Sequence, residues 1–230
     1  MASGSEVALA RDQAHYLTTV MRQGPGDKVL LFNGADGEWL AEVAEAGKRG
    51  ATLVCRTQTL PQSQPPDLWL VFAPIKKART DFIAEKAAEM GCRRLLPVFT
   101  RFTNSERVNA GRLRAHAVEA AEQCGLLSVP EVAEPTTLDA LLGGWDPARR
   151  LMFCDESGAG APAARVLERA GAGPWAVLIG PEGGFSPEER ARLAALPYAH
   201  AVSLGPRILR ADTAAVAALS LWQAVLGDWQ

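Results

Sequence analysis

Short blocks of apolar and polar residues fill the first part of the chain, and beyond residue 67 apolar runs alternate with longer amphipathic stretches. Residues 28–32, 38–43 and 51–57 are rich in apolar and β-branched side chains, and Gly24-Pro25-Gly26, Asn33-Gly34 and Gly47-Lys48-Arg49-Gly50 separate them. Runs of this length bounded by turn residues predict strands, and their spacing suggests a small barrel. The polar, proline-rich stretch Leu60-Pro-Gln-Ser-Gln-Pro-Pro-Asp67 has the composition of a domain boundary. The chain is therefore expected to divide into residues 1–66 and 67–230.

In the second part, strand patterns at 68–73, 94–98, 151–154, 176–179 and 201–204 alternate with helical patterns at 80–90, 108–123, 163–170, 187–196 and 213–226. That alternation predicts an α/β domain with a mostly parallel sheet covered by helices. One helix start is well marked. Ser186-Pro187-Glu188-Glu189 combines an N-cap serine, proline at the first helical position and glutamate at the capping-box position. Residues 180–185 then form a strand-to-helix loop.

Composition adds three points. With 48% hydrophobic and 22% charged residues, the 230-residue chain is a folded globular protein with enough length to bury a core. No apolar run approaches the roughly 18 residues of a membrane span, and the opening Met1-Ala-Ser-Gly-Ser-Glu6 lacks the basic and apolar regions of a signal peptide. A cytoplasmic protein without a membrane partner is expected. Cys55, Cys92, Cys124 and Cys154 stand singly, away from histidine at ligand spacing, which predicts free thiols and no metal.

The net charge of -2 hides an asymmetry. Residues 67–114 carry ten Lys/Arg against five Asp/Glu, whereas residues 115–230 carry eight against fourteen. Lys76, Lys77, Arg79, Arg93, Arg94, Arg101, Arg107, Arg112 and Arg114 are thus candidates for a phosphate-binding face, or else for ordinary solvated helix surface.

The candidate chemistry lies near the C-terminus. The apolar strand ending at Ile179 runs into Gly180-Pro-Glu-Gly-Gly-Phe185, and the next strand ends in Leu204-Gly-Pro-Arg-Ile-Leu-Arg210. Ligands of parallel α/β sheets bind beyond the carboxyl ends of strands, and glycines there admit close approach of the backbone. Arg207 and Arg210 add two permanent, fork-shaped cations. Asp212 and Thr213 fall where helix caps belong.

Leu178-Ile-Gly-Pro-Glu-Gly-Gly-Phe185 followed by Leu204-Gly-Pro-Arg-Ile-Leu-Arg-Ala-Asp-Thr-Ala214 closely resembles the C-terminal signature of the small-subunit ribosomal RNA methyltransferase E family of the SPOUT superfamily. The likeness continues through Lys76-Lys77, Glu85-Lys-Ala-Ala-Glu-Met-Gly91, Glu119-Ala-Ala-Glu-Gln-Cys124, His15-Tyr-Leu-Thr-Thr-Val-Met-Arg22 and Gly26-Asp27. It implies a SPOUT-type α/β domain tied in a deep trefoil knot and preceded by a PUA-like, RNA-binding β-barrel. Knots are exceptions to the usual connection rules, so periodicity alone does not reveal one. The resemblance further implies a homodimer that binds S-adenosylmethionine in the knot and methylates N3 of a uridine, uridine 1498, in 16S ribosomal RNA of the small subunit.

Residue by residue, Ile179, Gly180, Pro181, Glu182, Gly183 and Gly184 match the first knot loop, and Leu204, Gly205, Ile208, Leu209, Arg210 and Thr213 the second. These are the expected cofactor contacts. Lys76, Lys77, Arg79, Arg101 and Arg22 are the expected RNA contacts. The chain departs from the family pattern in three places. Residues 2–10 lack the usual opening arginine and strand, Gly125-Leu-Leu-Ser128 stands where relatives commonly carry an arginine, and Asp212 replaces a frequent glutamate.

Methyl transfer from a sulfonium to nitrogen is an in-line displacement, so positioning is the enzyme's main task. Uridine N3 must lose its proton, and a nearby cation favours the anion. Arg210 is therefore the expected uracil-orienting, anion-stabilising residue, with Arg207 second and a bracing ion pair of Arg210 with Asp212 or Glu182 as the alternative. Glu182 is a candidate proton acceptor or, equally, a contact to the partner chain or the cofactor, so the base stays unassigned; His15, His116 and His200 lie outside both loops, His200 as a strand-edge residue. Two other functions compete. Gly158-Ala-Gly-Ala-Pro-Ala163 fits G-x-G-x-x-A, which would suggest an NAD-binding oxidoreductase, and a non-catalytic RNA-binding module would use the α/β half only as a platform.

Overall fold

The computed structural model describes residues 1–47, 50–158 and 160–229, and it divides into two compact units, Met1–Gln64 and Pro65–Gln230. The first unit begins with strand β1 (Glu6–Ala8) and helix α1 (Arg11–His15), which runs into a π-helical turn at Tyr16–Val20. Strands β2 (Lys28–Phe32), β3 (Glu38–Gly47) and β4 (Gly50–Leu60) follow. They form one antiparallel sheet in the order β1-β4-β3-β2. Sequence patterning leaves residues 2–10 without a strand, yet Glu6–Ala8 pairs with β4. Both strands of the β3–β4 hairpin are longer than the apolar pattern predicts, because backbone pairing continues past the buried Val43 and Cys55 into exposed polar residues. Ala14, Leu17, Ala41, Val43 and Leu53 make this unit's core. Of the predicted turn between β3 and β4, Lys48 and Arg49 lie outside the described residues.

The second unit contains, in chain order, β5 (Leu68–Phe72), α2 (Lys77–Glu89), β6 (Arg94–Phe99), α3 (Ala110–Cys124), β7 (Glu131–Val132), β8 (Thr136–Thr137) and α4 (Leu138–Gly143). It continues with β9 (Arg150–Cys154), β10 (Ala161–Pro162), α5 (Ala163–Ala170), β11 (Trp175–Ile179), α6 (Pro187–Ala195), β12 (Ala199–Ser203) and α7 (Ala211–Leu226). The sheet runs β10-β12-β9-β11-β5-β6-β7, with β8 also on β6, and every pairing is parallel. β11 is inserted between β9 and β5.

Successive side chains of a strand face opposite sides of the sheet, so an unbroken apolar strand feeds two cores. Trp175, Val177 and Ile179 of β11 join the core shared with α2, α3, α5 and α7, whereas Ala176 and Leu178 join the one beneath α4 and α6. Helices α2 and α7 begin earlier than the patterns at 80 and 213 predict. Their first turns carry Lys77 and Asp212, polar residues that an apolar pattern does not count. The two-residue strands and the short α4 are too brief for periodicity to register.

Among the four cysteines, Cys55 and Cys92 are buried and Cys124 is exposed at the end of α3. Burial pushes the Cys154 thiol up to about 12 and the Cys92 thiol well above its ordinary range. Burial and then the Glu89 charge raise the Cys124 thiol as well, so exposure is what singles it out, and one thiol per native chain is expected to react well ahead of the others with an aromatic disulfide reagent at about pH 8. All four should react in denaturant, and replacing Cys124 by serine should remove the fast phase. A fast phase that survives that replacement would contradict the assignment.

Candidate functional site

β9 pairs with β11 on one side and with β12 on the other, so the loops following these three strands leave the carboxyl edge of the sheet side by side. Sequence order suggests adjacent strands for the two glycine-proline loops. The inserted β9 instead sets them two strand spacings apart, about 10 Å, and makes the loop after β9 the middle wall.

In the first loop, the Gly184 amide donates to the Pro181 carbonyl at 2.9 Å, closing a turn whose exposed tip is Glu182 and Gly183. Gly184 sits at φ +69, where a side chain is strained. Phe185 is buried edge-on against Phe153, with ring centroids 6.3 Å apart. The capping box is present: Ser186 Oγ accepts from the Glu189 amide at 3.2 Å, and Glu189 Oε2 accepts from the Ser186 amide at 2.9 Å. The other Glu189 oxygen accepts from the Arg101 amide at 2.8 Å, which ties the end of β6 to the start of α6.

In the second loop, Leu204 and Leu209 pack partly against the core, while Ile208 is 85% exposed and Arg207 and Arg210 are open to solvent. Gly205 adopts φ +117. Arg210 occupies the N-cap position of α7, with no side-chain hydrogen bond to the helix. The structure thus corrects the expectation that Asp212 and Thr213 cap this helix. Asp212 lies inside the first turn, where Oδ1 accepts from the Thr213 amide at 3.0 Å and Oδ2 pairs with Arg79 at the start of α2. Arg210 therefore does not brace Asp212, and among the described residues neither it nor Glu182 has an ion pair.

The amides of Glu182, Gly183, Ile208 and Leu209 make no hydrogen bond among the described residues. Both loops thus present open donors, the pattern suited to a ligand held by backbone groups. Carboxylate, hydroxyl and ring-nitrogen acceptors of an adenosyl amino acid fit such a donor set.

Lys76 and Lys77 are exposed at the start of α2, beyond β5, and Arg101 is exposed beyond β6. The structure brings them to the same edge as the first loop: the Ala73 amide donates to the Ile179 carbonyl at 2.9 Å, and a Cβ on Gly183 would lie 3.0 Å from Phe102 Cβ. Arg79 shares that edge in its ion pair with Asp212. Arg22 is exposed in the first unit at φ 56. The nine-cation face does not exist as one surface. Arg93 and Arg94 lie at the amino end of β6, where Arg93 donates to the Pro65 carbonyl and Arg94 pairs with Glu131. Arg112 forks onto Asp81 at 3.0 and 2.6 Å, and Arg114 donates to the Val132 carbonyl.

Sequence patterning overlooks Asp155 and Glu156 in the loop after β9, although an acidic pair directly following an apolar strand obeys the rule that picked out the loop after β11. The G-x-G-x-x-A match is also resolved as something other than a dinucleotide turn. Ala159 lies outside the described residues, and the chain passes through β10, on the far side of β12 from β9, before entering α5. The first unit has a groove lined by Arg11, His15, Thr18 and Thr19, and the second unit has one lined by Arg150, Tyr198 and His200 that does not include the glycine loops. His200 sits in β12 opposite Met152, in the stretch that pairs with β9 alone because β10 reaches only Val202 and Ser203, so it is a strand-edge residue as expected; burial followed by the Arg150 charge holds its pKa below the ordinary value.

An RNA methyltransferase domain matches residues 62–223, and an RNA methyltransferase PUA domain matches residues 9–54. Ribosomal RNA small subunit methyltransferase E of Rickettsia conorii is 30% identical over 222 residues, covering 96% of this chain and 90% of the relative. The Mycobacterium tuberculosis protein of the same name is 30% identical over 247 residues, covering 99% and 89%. A Legionella pneumophila methyltransferase solved with bound cofactor SAM has a TM-score of 0.89 at 27% identity, covering 99% of this chain and 95% of its own. The Neisseria gonorrhoeae ribosomal RNA small subunit methyltransferase E, solved with S-adenosyl methionine, has a TM-score of 0.87 at 23% identity over 100% and 96%, which shows a shared fold. On these matches, and with a parallel α/β sheet carrying its glycine loops at the carboxyl edge, the chain belongs to the ribosomal RNA small subunit methyltransferase E family.

Proposed function

We propose that this protein transfers a methyl group from S-adenosylmethionine to N3 of a uridine in 16S ribosomal RNA. The observation that carries the reading is the convergence of the loops after β9, β11 and β12 on one sheet edge, with open amides in the two glycine-proline loops. Ile179 to Gly184 form one wall of the cofactor site and Leu204 to Thr213 the other, threaded as a trefoil knot. S-adenosylmethionine supplies an electrophilic methyl on a sulfonium: the S–C bond breaks with its electrons returning to sulfur, and the N3–C bond forms. The chain's own work is to hold N3 in line with that bond. Arg210 orients the uracil and favours its deprotonated form, and Glu182, exposed at the turn tip, is the candidate to receive the N3 proton.

Lys76, Lys77 and Arg101 bind RNA phosphates at the same edge, with Arg79 held beside them by Asp212, and the first unit, a PUA-like barrel carrying Arg22, supplies a second RNA grip. The protein works as a cytoplasmic homodimer without a metal. Ile208 and the half-buried Leu221, Val225 and Leu226 of α7 offer the apolar surface for the second copy. The test incubates the protein with labelled S-adenosylmethionine and small subunits from a strain lacking the activity, then maps the product by mass. Label on N3 of one 16S uridine is expected. Cofactor binding with label on another base or RNA overturns the target, and no cofactor binding overturns the enzyme.

A further inference from the structure

The loop after β9 contributes a carboxylate with no role in the chemistry above. Glu156 Oε1 accepts from the Phe185 amide at 3.3 Å and from Arg190 of α6 at 2.7 Å. The same Arg190 nitrogen donates to the Phe185 carbonyl at 3.1 Å. Phe185 is thus held at its amide, at its carbonyl and, through Phe153, at its ring. The base of this clamp is fixed: Asp155 is buried, accepts from Ser157 at its amide and hydroxyl, and lies 3.4 Å from Arg190 Nε. A Cβ on Gly184 would overlap the Glu156 carboxylate, so the glycine is what lets that carboxylate reach the Phe185 amide.

We infer that Glu156 is a positioning residue for the cofactor loop, acting through Phe185 and Arg190 to fix the Pro181–Gly184 turn. The inference rests on the proposal that this loop binds S-adenosylmethionine. About a third of each side chain of the Glu156–Arg190 pair is exposed, so as an ion pair it contributes little to global stability. Its effect is local, because it decides where the open amides of Glu182 and Gly183 point. Losing a charge-assisted bond to a backbone donor is expected to weaken cofactor binding about tenfold.

Titration calorimetry with S-adenosylmethionine on the full chain tests this, alongside thermal melts of the apoprotein. Glu156→Ala should raise the Kd about tenfold and raise KM, while kcat at saturating cofactor and the melting temperature stay near wild type. Glu156→Gln, whose amide oxygen still accepts from Phe185, should recover most of the affinity. Gly184→Ala should displace the carboxylate and also strain the turn at φ +69, so it should weaken binding more than Glu156→Ala does, and adding Glu156→Ala to it should cost little further affinity. If the wild type binds and Glu156→Ala binds equally well, or if the Gln variant shows no recovery, the positioning role is overturned. A wild type that does not bind overturns the cofactor reading instead.

Discussion

Gly183→Val is expected to lower the affinity for S-adenosylmethionine about a hundredfold while leaving the melting temperature nearly unchanged. Gly183 lies at the exposed tip of the turn, so its substitution removes no core contact. Its Cβ would approach Phe102 Cβ to 3.0 Å, tighter than ordinary packing, and the two further valine carbons must find room beside the same ring. The turn has no slack on its other side, since the Gly184 amide is bonded to Pro181 and Phe185 is clamped. The loop must shift outward, and a displacement of about 1 Å at binding groups costs on the order of a hundredfold. Gly183→Ala meets the same contact with a single carbon and should lose only several-fold. Calorimetry reads both, and wild-type affinity in the valine variant would remove the first loop from the cofactor site.

What patterning reveals and what it hides divide along physical lines. β2, β6, β9 and β11 are dense apolar runs between turn residues, and α6 carries its own start signal in Ser186 to Glu189, so local chemistry specifies them. β1 and β10 are three and two residues long, below any periodic signal. Strand order is a non-local property. Nothing in residues 175–179 says that this strand inserts between β9 and β5, and for that reason the spacing of the two glycine loops and the middle position of Asp155 and Glu156 emerge only from the fold. Charge suffers likewise: Arg79, Arg94 and Arg112 read as free cations in sequence but are paired with Asp212, Glu131 and Asp81, whose partners lie 133, 37 and 31 residues away.

Arg210→Ala is expected to lower kcat on small-subunit RNA by about two to three orders of magnitude, the scale of losing one group that stabilises developing charge. The cofactor Kd should change only a few-fold. The position of this arginine argues for function over stability. A helix N-terminus carries roughly half a positive charge, so a cation there is locally unfavourable, and the one acid in the first turn, Asp212, is taken by Arg79. With no hydrogen bond from its side chain to the helix and no ion pair among the described residues, Arg210 gives the fold nothing that offsets that repulsion. Its removal should leave the melting temperature level or slightly raised. Together with the helix end, the guanidinium makes a site for an anion, as a uracil deprotonated at N3 requires. A group acting on that anion predicts a further asymmetry. Arg210→Lys keeps the charge but loses the fork that spans two acceptors, so it should recover part of kcat, whereas Arg207→Ala should cost much less than Arg210→Ala. Steady-state kinetics at saturating cofactor measure this series. Full turnover in Arg210→Ala would assign uracil activation to another residue without disturbing the cofactor loops.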